Sequence, residues 1–392
     1  MLYVLCYYFK VMKNFVKIFI ITILFLTANN IYAVITAKEI INVGILLDCE
    51  SLNIASDKKY SIKNSEKTLN LSPGNITIKI LGDKIIVGKY NLKLPVKVKS
   101  DLYLLVNKNL YRGNIIIRLS KNGKLNVINE INIEDYLKGV LPKEANSDWD
   151  IEALKAQAVI SRTYTLKNMQ RHASDNFNLC SSVHCQVYGG ASAENAKCNK
   201  AVTDTKNQIV TFKGDLAQTV FHANCGGHTE DPKYIWDWKH ETPAYLKGVK
   251  DKYCSKSPHD KWNCSIPETT IRKKLLNAGY KIDVIKSIKL SGNTVGNAKE
   301  FVIIKHKKGT LKLNTYKFRL AVDSHLIKSA MIKDIDKKGE TFSFTGKGWG
   351  HKVGLCQWGA KGMAEKGFSY KDILKHYYPK TEIESAEYEK QR

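Results

Sequence analysis

The sequence predicts an α+β fold: a β-rich mixed scaffold with one central buried helix, set after a loop that carries a candidate catalytic carboxylate, Glu144. Three observations predict it. From residue 35 to about 133, short runs alternate apolar and polar residues, as in Ile76-Thr77-Ile78-Lys79-Ile80, and turn-forming triplets separate them. From residue 151 to 166, Ala153, Leu154, Ala156, Ala158, Val159, Ile160 and Leu166 leave almost no polar face, and a helix apolar nearly all round is usually buried. Beyond residue 208, short strand-like runs alternate with short helical ones.

The 392 residues are enough for a substantial core and for one to three domains. Residues 1–33 read as a signal peptide: Met12-Lys13-Asn14 and Lys17 give a positive start, an apolar run follows, and Ile31-Tyr32-Ala33 supplies a small-residue cleavage site. Met12 is the more natural start, with residues 1–11 an upstream extension. The apolar run is roughly a dozen residues, short of the ~20 that span a bilayer, so a cleaved signal is expected rather than a transmembrane anchor. Export to the periplasm or cell wall follows, where thiols can oxidise. Of nine cysteines, removing Cys6 leaves an even number, which permits disulfides without giving their connectivity.

The formal charge of +25 comes mainly from lysines spread along the chain. It favours anionic partners such as wall or membrane-surface polymers, or it is a lysine-rich solvated surface. Nucleic acid is not expected, because no basic motif interleaved with aromatics occurs and arginine, the preferred base reader, is scarce.

Residues 34–130 form the N-terminal β-rich part. Ser72-Pro73-Gly74 and Lys121-Asn122-Gly123 mark turns there, and no cluster of catalytic residue types occurs. Residues 131–385 form the second region. Within it, a turn-like segment at 142–148 carries Glu144. The helix after it should begin at Ile151: Asp150 is a good N-cap, Glu152 puts negative charge in the first turn, and Trp149 can staple onto Leu154. Lys155 and Arg162 are seven apart and share a face, with Glu152 one turn before Lys155. Buried cations need partners or a job, and structural ion pairs are the plain reading.

A polar loop at 171–185 gathers His172, Cys180, His184 and Cys185. This is metal-ligand chemistry, but not at the spacing of a standard zinc motif, and adjacent His184 and Cys185 do not easily point at one ion. A disulfide from Cys180 to Cys185 or Cys198 competes. After a strand at 208–212 comes Phe221-His222-Ala223-Asn224-Cys225-Gly226-Gly227-His228. Cys225 beside two imidazoles suggests a nucleophile, but nothing positions a third group, and Gly226-Gly227 argue instead for a tight turn or close approach to a ligand. Residues 243–267 read as a loop-rich connection whose Cys254 and Cys264 are close enough for one disulfide. A helix at 269–277 and alternating strands over 281–345, with one helix near 316–321, follow. The last informative stretch, 344–383, interleaves glycines with Trp349, His351, Gln357 and Trp358 before a helix at 360–365. Aromatic and amide groups suit sugar stacking and hydroxyl hydrogen bonds. It lacks the Lys-Ser/Thr ending of a phosphate loop.

With these motifs the chain resembles the SpoIID/LytB family of exported bacterial cell-wall proteins. The resemblance rests on Tyr111-Arg112-Gly113, Glu134-Asp135-Tyr136-Leu137-Lys138-Gly139-Val140 and Glu144, then Glu152 to Ala158 through Arg162-Thr163-Tyr164 and Gln186-Val187-Tyr188-Gly189-Gly190. It continues with Gly226-Gly227, Gly348-Trp349-Gly350-His351, Gln357-Trp358-Gly359-Ala360 and Tyr377-Tyr378-Pro379. It implies peptidoglycan glycan strands as substrate and, in the SpoIID branch, lytic transglycosylase activity with Glu144 as the single acid/base. Lys155, Gln157, Arg162, Tyr164, Gly226, Gly227, His351 and Gln357 would bind glycan or support the site. For some members it implies a structural zinc, here on His172, Cys180 and Cys185, although the chemistry itself requires no cofactor. The LytB branch implies the alternative, a non-catalytic wall-binding enhancer of a cell-wall amidase. The chain departs from the family pattern at five positions. Ala145 replaces the usual Met, Cys225 and Cys356 stand where Ser is common, and Lys352 and Lys380 each replace a Gly.

Overall fold

A computed structural model describes residues 36–389, so the expected signal peptide lies outside the described residues. No helix among the described residues is long and apolar enough to cross a membrane. The α+β expectation holds: β-rich sheets come first, and helices gather in the second region.

The first hundred residues build two antiparallel sheets between which the chain passes repeatedly. One runs Asn109–Tyr111, Leu104–Val106, Ser51–Ser56, Gly74–Leu81, Lys84–Val87, Tyr90–Lys93. The other runs Ile40–Cys49, Leu125–Asn132, Asn114–Leu119, Val96–Ser100, Tyr60–Lys63, Thr68–Leu71. Period-two patterning does what it should: Leu52 and Ile54 on one strand and Val96 and Val98 on another are buried, while residues between them face outward. The predicted turns fall between strands, and Gly123 takes the positive φ that lets the chain reverse. The parallel strand Leu179–Cys180 extends the second sheet by pairing with Val43 and Gly44. The metal-ligand loop is thereby anchored to the N-terminal scaffold.

Helix α1 (Ile133–Glu144) follows directly. Asn132 caps it, accepting the Glu134 N–H at 2.8 Å. The turn expected at 142–148 is therefore partly helix, and Glu144 is the last helical residue. Pro142 lies inside the last turn, where the missing N–H removes one hydrogen bond, while Tyr136, Leu137, Val140 and Leu141 bury the preceding turns. After the cap Ala145 the chain is extended, and helix α2 (Ile151–Lys167) starts where the sequence predicts, with Asp150 accepting the Glu152 N–H. Trp149 meets Trp358 edge-on, with ring centroids 5.5 Å apart.

Helix α2 is buried from Ala153 to Leu166 except at Lys155. Around it pack α3 (Ala196–Asp204), α6 (Gln357–Ala364), α7 (Tyr370–Tyr377) and the strand Gln208–Phe212. This core includes Ala156, Val159, Ile160, Leu355, Ala360 and Tyr377. A separate core within residues 262–344 joins α4 (Glu268–Asn277) and α5 (Thr315–Val322) to two three-stranded sheets through Ile271, Leu275, Val302, Phe318 and Phe344. A two-residue parallel pair, Phe221–His222 against Leu355–Cys356, brings two distant segments of the second region side by side.

Candidate functional site

Glu144 is positioned by both of its ends. The Val187 N–H donates to Oε1 at 2.7 Å, and the Gln357 Nε2 donates to the Glu144 backbone carbonyl at 2.8 Å. Gln357 also donates to Gln157 Oε1 at 3.3 Å, and Gln157 in turn donates to Ser161. Both glutamines, expected to contact glycan, are buried and hold the end of α1 against α2 and α6. Val187 is fixed by its neighbours: Gln186 accepts from Thr165 at 2.9 Å, and the Tyr188 hydroxyl donates to Asn129 at 2.8 Å.

The Glu144 side chain lines a cleft of about 500 Å³ with Tyr164, Arg171, Val183, His184, Cys185, Val187, Gln218, Val220, Phe221, Trp236, Trp238, Tyr316 and His351. That volume suits a small ligand or a segment of a polymer. Glu144 is the one carboxylate among these lining residues. Desolvation raises its pKa above the ordinary carboxylate value, partly opposed by the Val187 N–H. Desolvation also pushes the Tyr164 hydroxyl up to about 12, so it stays a neutral donor or acceptor. His351 packs against Trp236 at 5.1 Å and accepts the Val353 N–H on Nδ1, while desolvation lowers its pKa to about 4 and keeps it neutral.

The structure gathers Glu144, Tyr164 and His351 at the cleft and Gln157 and Gln357 just behind it. Arg162 is elsewhere: fully buried, its Nε and Nη2 donate to both oxygens of Glu134 at 2.7 Å, and its Nη1 donates to the Gln208 carbonyl. Lys155 pairs with Glu152 at 2.9 Å and Asp204 at 3.5 Å. Gly226 and Gly227 border a different hollow, beside His228, Lys250 and Lys347. Sequence reasoning missed Arg171, Phe221, Trp236, Trp238 and Tyr316. The pair Trp236-Asp237-Trp238, two indoles in a polar segment, was the available signal. The Trp238 indole N–H is buried without a hydrogen-bond partner among the described residues, leaving a donor for a ligand.

At the cleft edge, His172, Cys180, His184 and Cys185 place their ligand atoms within 4.8 Å of one another. His184 joins the set, against the expectation that it and Cys185 diverge: its Nδ1 is 3.7 Å from the Cys180 sulfur and 3.6 Å from the Cys185 sulfur. The turn that makes this possible has Cys185 N–H donating to the Ser182 carbonyl and His184 N–H to the Ser182 hydroxyl. His172 Nε2 is 3.5 Å from the Cys185 sulfur. Zinc bonds of ~2.3 Å to sulfur and ~2.05 Å to nitrogen in a tetrahedron separate the two donor types by about 3.6 Å, so the set suits that ion. No pair of the described cysteines is joined: Cys198 lies in α3, Cys254 meets Cys225 at 3.6 Å, and Cys264 packs against the 262–344 core. The Cys254–Cys264 disulfide expected from spacing is thus replaced by a contact across a longer loop.

A family model described as SpoIID: Stage II sporulation protein matches residues 121–212, which contain α1, α2, the metal-ligand loop and Val187. An uncharacterized protein of Brachyspira hyodysenteriae is 35% identical over 274 residues, covering 70% of this chain and 72% of that one. Stage II sporulation protein D of Bacillus subtilis is 30% identical over 278 residues, covering 66% of this chain and 76% of the relative. The amidase enhancer of Bacillus subtilis is 29% identical over 297 residues, covering 64% of this chain but 40% of the relative.

Proposed function

We propose for this chain, which belongs to the stage II sporulation protein D (SpoIID) family, the role of an exported lytic transglycosylase that cleaves peptidoglycan glycan strands with Glu144 as its single acid/base. The observation that carries this reading is one half-buried carboxylate, its pKa raised by desolvation, alone among the lining residues of an aromatic cleft. Hydrolytic glycosidases usually need a second carboxylate about 5–9.5 Å away. A transglycosylase does not. Protonated Glu144 gives its proton to the glycosidic oxygen as the C1–O bond breaks. The carboxylate then takes the proton of the sugar's own 6-hydroxyl, whose oxygen closes onto C1 as a 1,6-anhydro ring. Trp236, Trp238 and Tyr316 offer faces for sugar rings and exclude water from the carboxyl group.

A structural zinc on His172, Cys180, His184 and Cys185 would fix the loop that leads to Val187, whose N–H orients Glu144. The proton transfers themselves need no metal.

Digestion of glycan strands stripped of stem peptides, read by mass spectrometry, tests the reading. Wild type should release anhydro-ended fragments, and Glu144→Gln should lose about 10²–10⁴-fold in rate. Release by a folded Glu144→Gln protein at the wild-type rate would sink the assignment. Because the acid must be protonated and its pKa is raised, the rate should fall with rising pH through a limb above the ordinary carboxylate range of about 4.5. The likeness to the amidase enhancer supports a second reading, a wall-binding partner of an amidase. Cleavage seen only when an amidase is added would select it.

A further inference from the structure

Behind the cleft, three cysteines and an aspartate from three separate segments converge. The ligand atoms of Cys225, Asp251, Cys254 and Cys356 all lie within 4.8 Å of one another. Their residues are 0%, 3%, 2% and 0% exposed. The Cys225 sulfur is 3.6 Å from the Cys254 sulfur and 3.1 Å from Asp251 Oδ2. Tetrahedral zinc with bonds of ~2.3 Å to sulfur sets sulfur pairs about 3.8 Å apart. We propose that these four residues form a second metal site, holding a divalent thiophilic cation, zinc in the first instance, in a structural role.

The surroundings are those of a charged centre. Asp251 is a buried carboxyl group with no lysine, arginine or histidine in salt-bridge contact among the described residues, and a bound cation would offset the cost of keeping it charged there. Its Oδ1 accepts the Tyr253 N–H at 2.8 Å, which turns Oδ2 toward the sulfurs. The Cys225 N–H donates to the Cys356 sulfur at 3.2 Å. The buried Tyr377 hydroxyl and Asp251 Oδ2 together crowd the space over Gly359, where any Cβ would collide with both. A disulfide would use two of the sulfurs and leave the third buried beside the carboxylate. On binding, three S–H bonds give way to three metal–sulfur bonds, the three protons leave to solvent, and Asp251 completes the set as carboxylate. The ion would clamp the 221–231, 250–257 and 355–364 segments, and Cys356 immediately precedes Gln357, which holds the Glu144 carbonyl.

Metal analysis of the mature chain, purified without chelator, tests this independently of any activity of Glu144. Wild type should carry two zinc ions per chain. The Cys180→Ser/Cys185→Ser protein should keep one, and adding Cys254→Ser to that protein should leave none. One ion in wild type and none in Cys180→Ser/Cys185→Ser would overturn the second site. So would an intact mass two hydrogens lighter, with a peptide linking two of Cys225, Cys254 and Cys356. If the triple variant does not fold, cobalt added to the metal-free wild type decides. Sulfur-to-cobalt absorption scaled for five thiolates supports the proposal, and absorption scaled for two overturns it.

Discussion

Arg162 and Lys352 show what a buried cation does when it has no substrate to serve. Arg162 is spanned by Glu134 and two backbone carbonyls, and Lys352, fully buried, lies 3.4 Å from the equally buried Glu230. Periodicity placed Arg162 and Lys155 on one face of α2, but it could not name partners 28 and 49 residues away. Removing one member of a buried pair strands the other charge, so Lys352→Met should cost about 3–5 kcal/mol in denaturant unfolding. Replacing both, as Lys352→Met with Glu230→Gln, should recover part of that loss. Lys352 also has φ +70° and Lys380 φ +67°, the left-handed conformation that glycine adopts without penalty. These are the two lysines that the sequence resemblance sets in place of glycine. Lys380 is exposed, so Lys380→Gly should stabilise the protein by about 0.5–1 kcal/mol, visible as a higher denaturation midpoint.

The elements divide by how local their signals are. Helix α2 was legible to its first residue because a cap acts within two or three positions, and Asp150→Ala should cost about 1 kcal/mol in unfolding free energy. The end of α1 was not, because Pro142 reads as a break unless the burial of the turns before it is known. Helix α6 starts at Gln357, three residues ahead of the expected Ala360, and its glycines serve packing: a Cβ on Gly362 would run into the Tyr253 carbonyl. Gly362→Ala should therefore destabilise by about 1–3 kcal/mol despite the better helix propensity of alanine, a sign that thermal unfolding can read. The glycine-rich strip suggested a sugar surface. In the structure it places His351 on the cleft and Gln357 behind Glu144, while the indoles facing the cleft come from 236 and 238.

Across the whole molecule, what the sequence could not disclose is closure over distance. Cys225, Cys254 and Cys356 lie in three segments up to 131 positions apart, so spacing pointed Cys254 to its neighbour Cys264 instead. The cleft likewise draws on segments from α1 to His351, and Glu144 was singled out through the resemblance its stretch carries, not through the spacing of the residues around it. The same closure governs the limits of the folded unit. Thr36–Lys38 pairs in parallel with Glu387–Glu389, so the first and last described strands are hydrogen-bonded neighbours. Such a chain is topologically almost a ring. A short flexible linker joining these two strands, with new ends opened at the exposed Gly82-Asp83 hairpin, should give a circular permutant that folds to the same far-ultraviolet dichroism and unfolds in one transition. Cutting instead between Glu144 and Ile151 would separate the two helices that hold the cleft, and that permutant should not refold.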